Sequence, residues 1–305
     1  MTPDVLAEAE AAAARAAKAA GVVVRELIAL DELDAMITLF DEIWVPENGN
    51  SSLSLDLLRA MTKAGNYASG AYDVTSGELL GACVGFFGPP AHAELHSHIA
   101  GVRRPGLGRS VGFALKVHQR AWGLRRGVRV IAWTYDPLIR RNAYFNLVKL
   151  GARPAEYLRN FYGTMDDAIN GGTETDRMLV RWDLRSDVAA EASAGRGPGA
   201  SFTAESERGA VVALAAGPDG GPVAGLPLAG GSGARSFLVG VPADIETMRV
   251  SAPARAEAWR TALRDVLSPL LSSGARVTGF DRSGWYVVTQ LSGETANRRE
   301  SGERR

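Results

Sequence analysis

The segment that most constrains this chain is IAGVRRPGLGRSVGFALKVHQRAWG, residues 99–123. An extended apolar run ends in Arg103-Arg104-Pro105-Gly106-Leu107-Gly108, and a helical pattern begins at once. Glycines let such a turn approach a ligand closely, and the amides opening the next helix can receive phosphate oxygens. The charge around it has one sign. From Leu95 to Tyr135 there is no Asp or Glu, but there are Arg103, Arg104, Arg109, Lys116, Arg120, Arg125, Arg126 and Arg129. The whole chain balances 34 Lys+Arg against 34 Asp+Glu, so this run is a local basic site suited to a polyphosphate. The competing reading is a turn that only redirects the chain, with the arginines as a solvated face. The spacing does not fit a nucleotide-triphosphate loop, which closes on Lys-Ser or Lys-Thr. It does not fit a dinucleotide fingerprint either, whose glycines open the first strand–helix unit.

With 305 residues, 46% of them hydrophobic, the chain has enough apolar matter for at least one sizeable core. The single cysteine, Cys83, excludes a disulfide scaffold and a multi-cysteine zinc site. The opening residues lack a secretory signal's pattern, and no apolar stretch reaches membrane-spanning length, so a soluble, cytoplasmic protein is expected. Composition suggests five stretches: an alanine-rich helix at 1–21, a main α/β domain at 22–185, a linker or surface loop at 186–207, a small α+β region at 208–290 docked on the first, and a flexible tail at 291–305.

Within the main domain the patterns predict a strand at 22–30, a helix capped by Asp31, and a short helix at 53–62. A hairpin of 67–74 and 78–88 follows, then a strand at 92–102. Beyond the glycine turn come a helix at 110–122, a buried strand at 128–135, a helix at 138–150 stopped by Gly151, and strands near 155–162 and 177–184. The second region reads as strands 208–216 and 235–242, a helix from Ala256 that Pro269 kinks or ends early, and a hairpin over 275–290.

The pattern Arg103-x-x-Gly106-x-Gly108 after strand 94–102 resembles the acyl-CoA pyrophosphate turn of the GCN5-related N-acetyltransferase (GNAT) superfamily. The segment 130–152, VIAWTYDPLIRRNAYFNLVKLGA, resembles that family's second signature, and the likeness covers roughly 22–185. More narrowly, WTYDPLIRRNAYFNLVKLGA with YLRNFYG, TDRMLVRW, Ala258-Trp259-Arg260 and Gly279-Phe280 resembles a long-chain branch of predicted acetyltransferases with an extra C-terminal region. The resemblance implies a mixed, mostly antiparallel central sheet flanked by helices, and transfer of an acetyl or succinyl group from CoA to a small-molecule amine. N-succinylation of a D-amino acid is the narrower form. No metal is expected; the localised basic run, without a recognition helix or an aromatic RNA-reading motif, argues against nucleic acid, the lack of a membrane-length apolar stretch argues against a membrane, and a homodimer is among the open assemblies. CoA contacts fall by resemblance on Ile99, Gly101, Val102, Arg103, Arg104, Gly106, Leu107, Gly108, Arg109, Ser110, Asn142 and Phe145, and an oxyanion donor on a backbone amide between His98 and Gly101.

Amine attack on a thioester needs a base, and strand alternation puts Glu94, His96 and His98 on one face. Glu94 or His96 is the candidate base, against a polar face without a chemical role. The family's tyrosine acid falls at Leu147, which leaves Tyr144, Tyr135, Tyr162 or water to protonate CoA. Asp136 suits amine recognition or the capping of a helix begun by Pro137, and Asn160, Tyr162, Asp176 and Arg177 suit the acceptor side or an ordinary polar surface. Two rivals stand beside acyl transfer. One is a metal-dependent hydrolase built on His92, Glu94, His96 and His98. The other is an acyl-CoA-binding or regulatory module without turnover.

Overall fold

The computed structural model describes residues 3–44, 53–163, 174–225 and 236–290; the polar tail 291–305 lies outside them. The chain opens with α1 (Pro3–Ala20), which ends at Gly21 in a left-handed turn (φ 65°). Then come β1 (Val22–Glu26), α2 (Leu30–Trp44), α3 (Leu55–Lys63), the hairpin β2 (Tyr67–Asp73) and β3 (Leu79–Phe87), and β4 (Glu94–Val102). Past the glycine turn lie α4 (Val111–Arg125), β5 (Val130–Tyr135), α5 (Arg140–Tyr144), β6 (Arg153–Leu158) and β7 (Arg177–Asp183). These strands form one seven-stranded sheet in the order β1-β2-β3-β4-β5-β7-β6. Every neighbouring pair is antiparallel except β4 with β5. The result is the mixed, mostly antiparallel sheet flanked by helices that the resemblance implies.

The two faces of the sheet are covered differently. α2 and α3 set Leu33, Met36, Phe40 and Leu58 on the front, against Ala68, Ala82 and Val84. On the back, α4 packs Ala114, Leu115, Val117 and Trp122 against Cys83, Leu95 and Ile131. α1 lies outside α4, and its small residues Ala9, Ala12 and Ala16 recur at helical spacing and are buried.

The remaining elements are α6 (Asp187–Ser193), α7 (Phe202–Glu207), β8 (Val211–Ala216), β9 (Pro222–Ala224), β10 (Ser236–Gly240), α8 (Ile245–Ser251), α9 (Pro253–Ser272), β11 (Arg276–Asp281) and β12 (Trp285–Thr289). They build a second sheet, β11-β12-β10-β8-β9, whose one parallel pair is β8 with β10. Its core is continuous with the first: Leu214, Phe237, Trp259, Leu263 and Tyr286 belong to the same buried cluster as Trp133 and Leu147.

Several local expectations change. Residues 186–207, read as linker or loop, carry α6 and α7, each opened by a serine that accepts an amide hydrogen bond at its N-cap. Ala, Gly and Ser suit such short capped helices as well as they suit a loop. Asp31 lies inside α2 rather than capping it, and Glu32 instead accepts the amides of Ile28 and Ala29, each at 3.0 Å. Pro269 does not end α9, which runs on to Ser272. The helix expected at 138–150 is α5 followed by a wider π turn, Phe145–Lys149. Leu150 donates back to the Phe145 carbonyl at 3.0 Å, and the side chain of Asn146 accepts from Trp133 Nε1 at 3.1 Å.

Candidate active site

The parallel pairing of β4 with β5 is short. Glu94, Leu95 and His96 face Val130, Ile131 and Ala132, and there the pairing stops. Each strand continues, β4 to Val102 and β5 to Tyr135, with no rungs between the two arms. The sheet therefore holds a fork closed at His96–Ala132 and open toward the glycine turn. An extended ligand chain can lie between the arms and use their backbone groups, which strands leave unpaired at an edge. β4 also bulges inside the fork. Ser97 and Ile99 oppose the consecutive residues Gly85 and Val84, so His98 is the extra residue. A bulge frees a residue from the ladder and re-aims it.

At the open end, the turn does two jobs. Gly106 is buried, and a Cβ there would come within 2.8 Å of Val102 Cγ1. Gly108 takes φ +77° with open space around it, so its conformation rather than crowding calls for glycine. Ser110 at the N-cap of α4 is itself left-handed (φ 64°) and makes no side-chain cap bond. The first amides of α4 therefore remain for an anion.

The expected CoA residues divide. Arg104, Leu107, Gly108 and Ser110 are exposed at the turn. Arg103 is committed to Glu42 of α2 at 2.7 Å. Arg109 pairs with Asp73 at 2.7 Å and reaches the Ala20 and Gly21 carbonyls, tying α1 to the β2–β3 hairpin. Hydrogen bonds from the Ser76 amide, the Arg109 side chain and the Thr75 amide hold the Asp73 carboxyl at about 2. Ile99 packs toward α2 and α3, and Val102 toward the back core. Gly101 lies under α2, where a Cβ would come within 2.7 Å of Ile43 and Trp44. Asn142 and Phe145 are half-buried on the helix beyond β5.

The three expected catalytic groups occupy separate surroundings. Glu94 pairs with Arg181 of β7 at 2.6 Å. His96 is half-buried on the front face beside Phe86 and His98, with ring centroids 5.0 and 6.1 Å away. Burial above all, then the nearby charges of His98 and Lys116, lower its pKa to about 4, so it stays neutral near pH 7. Tyr144 turns to a cavity of about 630 Å³ lined also by Ile139, Arg140, Arg141, Arg282 and the start of α8.

The acceptor-side candidates carry structure. Asp136 is buried and holds Arg249, Arg260 and, at 3.9 Å, Arg177; it also accepts the Leu138 amide at 2.9 Å. α5 begins later, with Ile139 at its N-cap, so Asp136 is not its cap. Asp176 accepts from Tyr157 at 2.7 Å and from Arg264 at 2.7 and 2.8 Å. Asn160 takes a left-handed φ of 41° and accepts the Thr175 amide at 3.1 Å. Tyr162 stays on the front face, 3.0 Å from the Thr134 hydroxyl. Tyr135 points to Tyr286. His118 bonds Tyr67 inside the fold, and His92 is exposed on a 3₁₀ turn. Among the described residues no group of three or more His, Cys, Asp or Glu gathers to hold a metal ion.

Sequence reasoning counted Lys116 only as part of the basic run. In the structure it is buried at the closed end of the fork, 3.0 Å from Ser97 Oγ, 2.8 Å from Gln119 Oε1 and 3.7 Å from the centre of the Trp133 ring. The available signal was slight: a lysine three residues before a glutamine, flanked by Leu115 and Val117, on the helix that follows the glycine turn.

No family model matches the chain, and no curated protein does. Solved structures do. An N-acetyltransferase from Staphylococcus aureus is 14% identical, covering 53% of this chain and 98% of its own, at a TM-score of 0.44. The ribosomal-protein-S18-alanine N-acetyltransferase of Escherichia coli is 15% identical, with 54% and 95% covered and a TM-score of 0.43. A ribosomal-protein-S5-alanine acetyltransferase from Vibrio fischeri is 14% identical, with 55% and 94% covered and a TM-score of 0.44. Such values say nothing of activity. No helix of the described residues is long and apolar enough to cross a membrane.

Proposed function

We propose that this protein is an acyl-CoA-dependent N-acyltransferase, moving an acetyl or succinyl group from the CoA thioester to a small-molecule amine. One observation carries this reading: the fork between β4 and β5 opens onto a glycine turn and an uncapped helix start. A long, flexible donor with a polyphosphate at one end and an extended amide-bearing arm at the other matches that shape. The helix start and Arg104 would hold phosphates, and the arms would hydrogen-bond the pantetheine. The bulge at His98 supports a backbone donor for the developing oxyanion. On the front face, neutral His96 can accept the amine's proton directly or through water. Glu94, engaged by Arg181, serves better to orient that face. Amino-acid acceptors, with succinyl-CoA as donor, are the narrower proposal.

A second reading, an acyl-CoA-binding module without turnover, is favoured by buried Leu147 standing where the resemblance puts a tyrosine acid. A screen of acetyl-CoA and succinyl-CoA against an amine panel, read by free thiol and by mass spectrometry of the N-acyl product, decides between them. Product supports the enzyme. CoA binding without product across the panel supports the module.

A further inference from the structure

We propose that Lys116 is the acid that protonates the departing CoA thiolate from the closed end of the β4–β5 fork. The inference rests on the acyl-CoA reading above. Its ground is position. The last paired residues are His96 and Ala132, and the first residue beyond them on each arm is Ser97 and Trp133. Lys116 Nζ touches both, 3.0 Å from the Ser97 hydroxyl and 3.7 Å from the Trp133 ring centre, so the ammonium spans the base of the fork.

The second ground is an imbalance of charge. Lys116 is only 4% exposed, and among the described residues its contacts are a hydroxyl, an amide oxygen and a ring. The titratable groups that sense it are Cys83 on β3 and His96 on β4. Burial raises the Cys83 thiol and lowers His96, so neither is an anion near pH 7. A buried cation without an anion is costly, and negative charge delivered into the fork relieves that cost. A pantetheine arm entering from the glycine turn brings its sulfur, the atom that becomes negative, to this end. Burial also brings the ammonium down to about 8, close to a thiol's ordinary value of about 8.5, which suits transfer between them.

The step balances. The amine nitrogen bonds to the thioester carbonyl carbon, the C–S bond breaks with its electron pair on sulfur, and an Nζ proton moves to that sulfur. The proton shed by nitrogen leaves by His96 or water, and solvent reprotonates Lys116. Thioester and amine become amide and thiol. Lys116 thereby fills the role that Leu147 cannot.

The test is calorimetric titration of the full chain at pH 7.5 with CoA and with desulfo-CoA, in two buffers of different ionisation enthalpy. The wild type should bind CoA about 10- to 100-fold more tightly, as a charge-assisted contact implies, and release a proton, because the sulfur and the Lys116 nitrogen then share one proton where each carried its own before binding. Lys116→Met should bind desulfo-CoA like the wild type and lose both the extra affinity and the proton release. Equal wild-type affinities overturn the proposal whether or not the variant folds. A CoA preference undiminished in Lys116→Met also overturns it. Binding of neither ligand overturns the CoA reading itself, so the two failures are distinct.

Discussion

Arg260 Nη2 lies 3.0 Å from Asp136 Oδ2, and the two residues are 124 positions apart in the chain. Both side chains are buried, and Arg249 shares the same carboxylate oxygen. Burial alone would raise the Asp136 carboxyl; the guanidiniums of Arg260, Arg249 and Arg177 outweigh it and hold it below the ordinary range. A carboxylate lowered on folding stabilises the fold above its unfolded pKa, and that contribution disappears as pH falls through the folded value. Acid unfolding should therefore include protonation of Asp136 below about pH 4. Asp136→Asn should cost about 3–5 kcal/mol at pH 7, because it strands buried guanidiniums, and should flatten the acid limb of stability. Urea unfolding from pH 3 to 7 measures both.

His96 should titrate near 4 rather than 6.5, chiefly because it is buried. The unfolded chain then takes up a proton that the folded one refuses, so this term costs stability as pH drops from about 6.5 and levels off below 4. If His96 accepts the amine's proton, the rise of kcat/KM assigned to it falls near pH 4. His96→Ala should remove that limb and reduce kcat by about 10²–10⁴-fold. NMR titration of the histidines, beside rate profiles for an acceptor found by the screen, checks the assignment.

Gly108 holds a left-handed φ in open space. Gly108→Ala should cost about 1 kcal/mol of stability from backbone conformation alone. Gly108→Val should cost more and weaken CoA binding beyond its effect on the fold, as the turn shifts away from the helix start. Thermal unfolding paired with CoA calorimetry separates the two effects. A folded Gly108→Val protein with wild-type CoA affinity would remove the turn from the phosphate site.

A fragment ending at Arg185 should not persist as a soluble monomer. It would lose Arg249 and Arg260 from Asp136, strip from Tyr135 the Tyr286 hydroxyl that lies 3.2 Å away in the full chain, and open a core that runs on into α9. Size-exclusion chromatography and dye binding to exposed apolar surface provide the readout. A monodisperse fragment with native-like unfolding would refute the prediction.

The strand, turn and helix at 94–125 were legible because glycine spacing and charge speak locally. So were Glu94, His96 and His98 on one face, since a strand alternates with period two. The bulge at His98 was not, because an inserted residue depends on the partner strand's register. Asp136 reads as a helix cap or an amine-binding group and Asp176 as an acceptor-side or ordinary polar residue, whereas arginines from α8 and α9 meet both; contacts spanning 88 to 124 residues leave no trace in a local pattern. The position of the family's tyrosine is counted back from Gly151 to Leu147, and the π turn Phe145–Lys149 lies within that count, so a regular helical spacing does not place Tyr144 and Leu147 relative to each other.

The fork's two arms are anchored in opposite ends of the chain. β4 leads through Arg109 to the alanine-rich helix, which lies along the outside of α4. β5 ends in Tyr135, held by Tyr286, and Asp136 follows it, held by Arg249 and Arg260. The gap between them works like a pair of calipers whose legs are clamped by separate hands. On the acyl-CoA reading, substitutions in α8, α9 or β12, remote from the fork itself, should change how wide the jaws stand and with it the choice of donor.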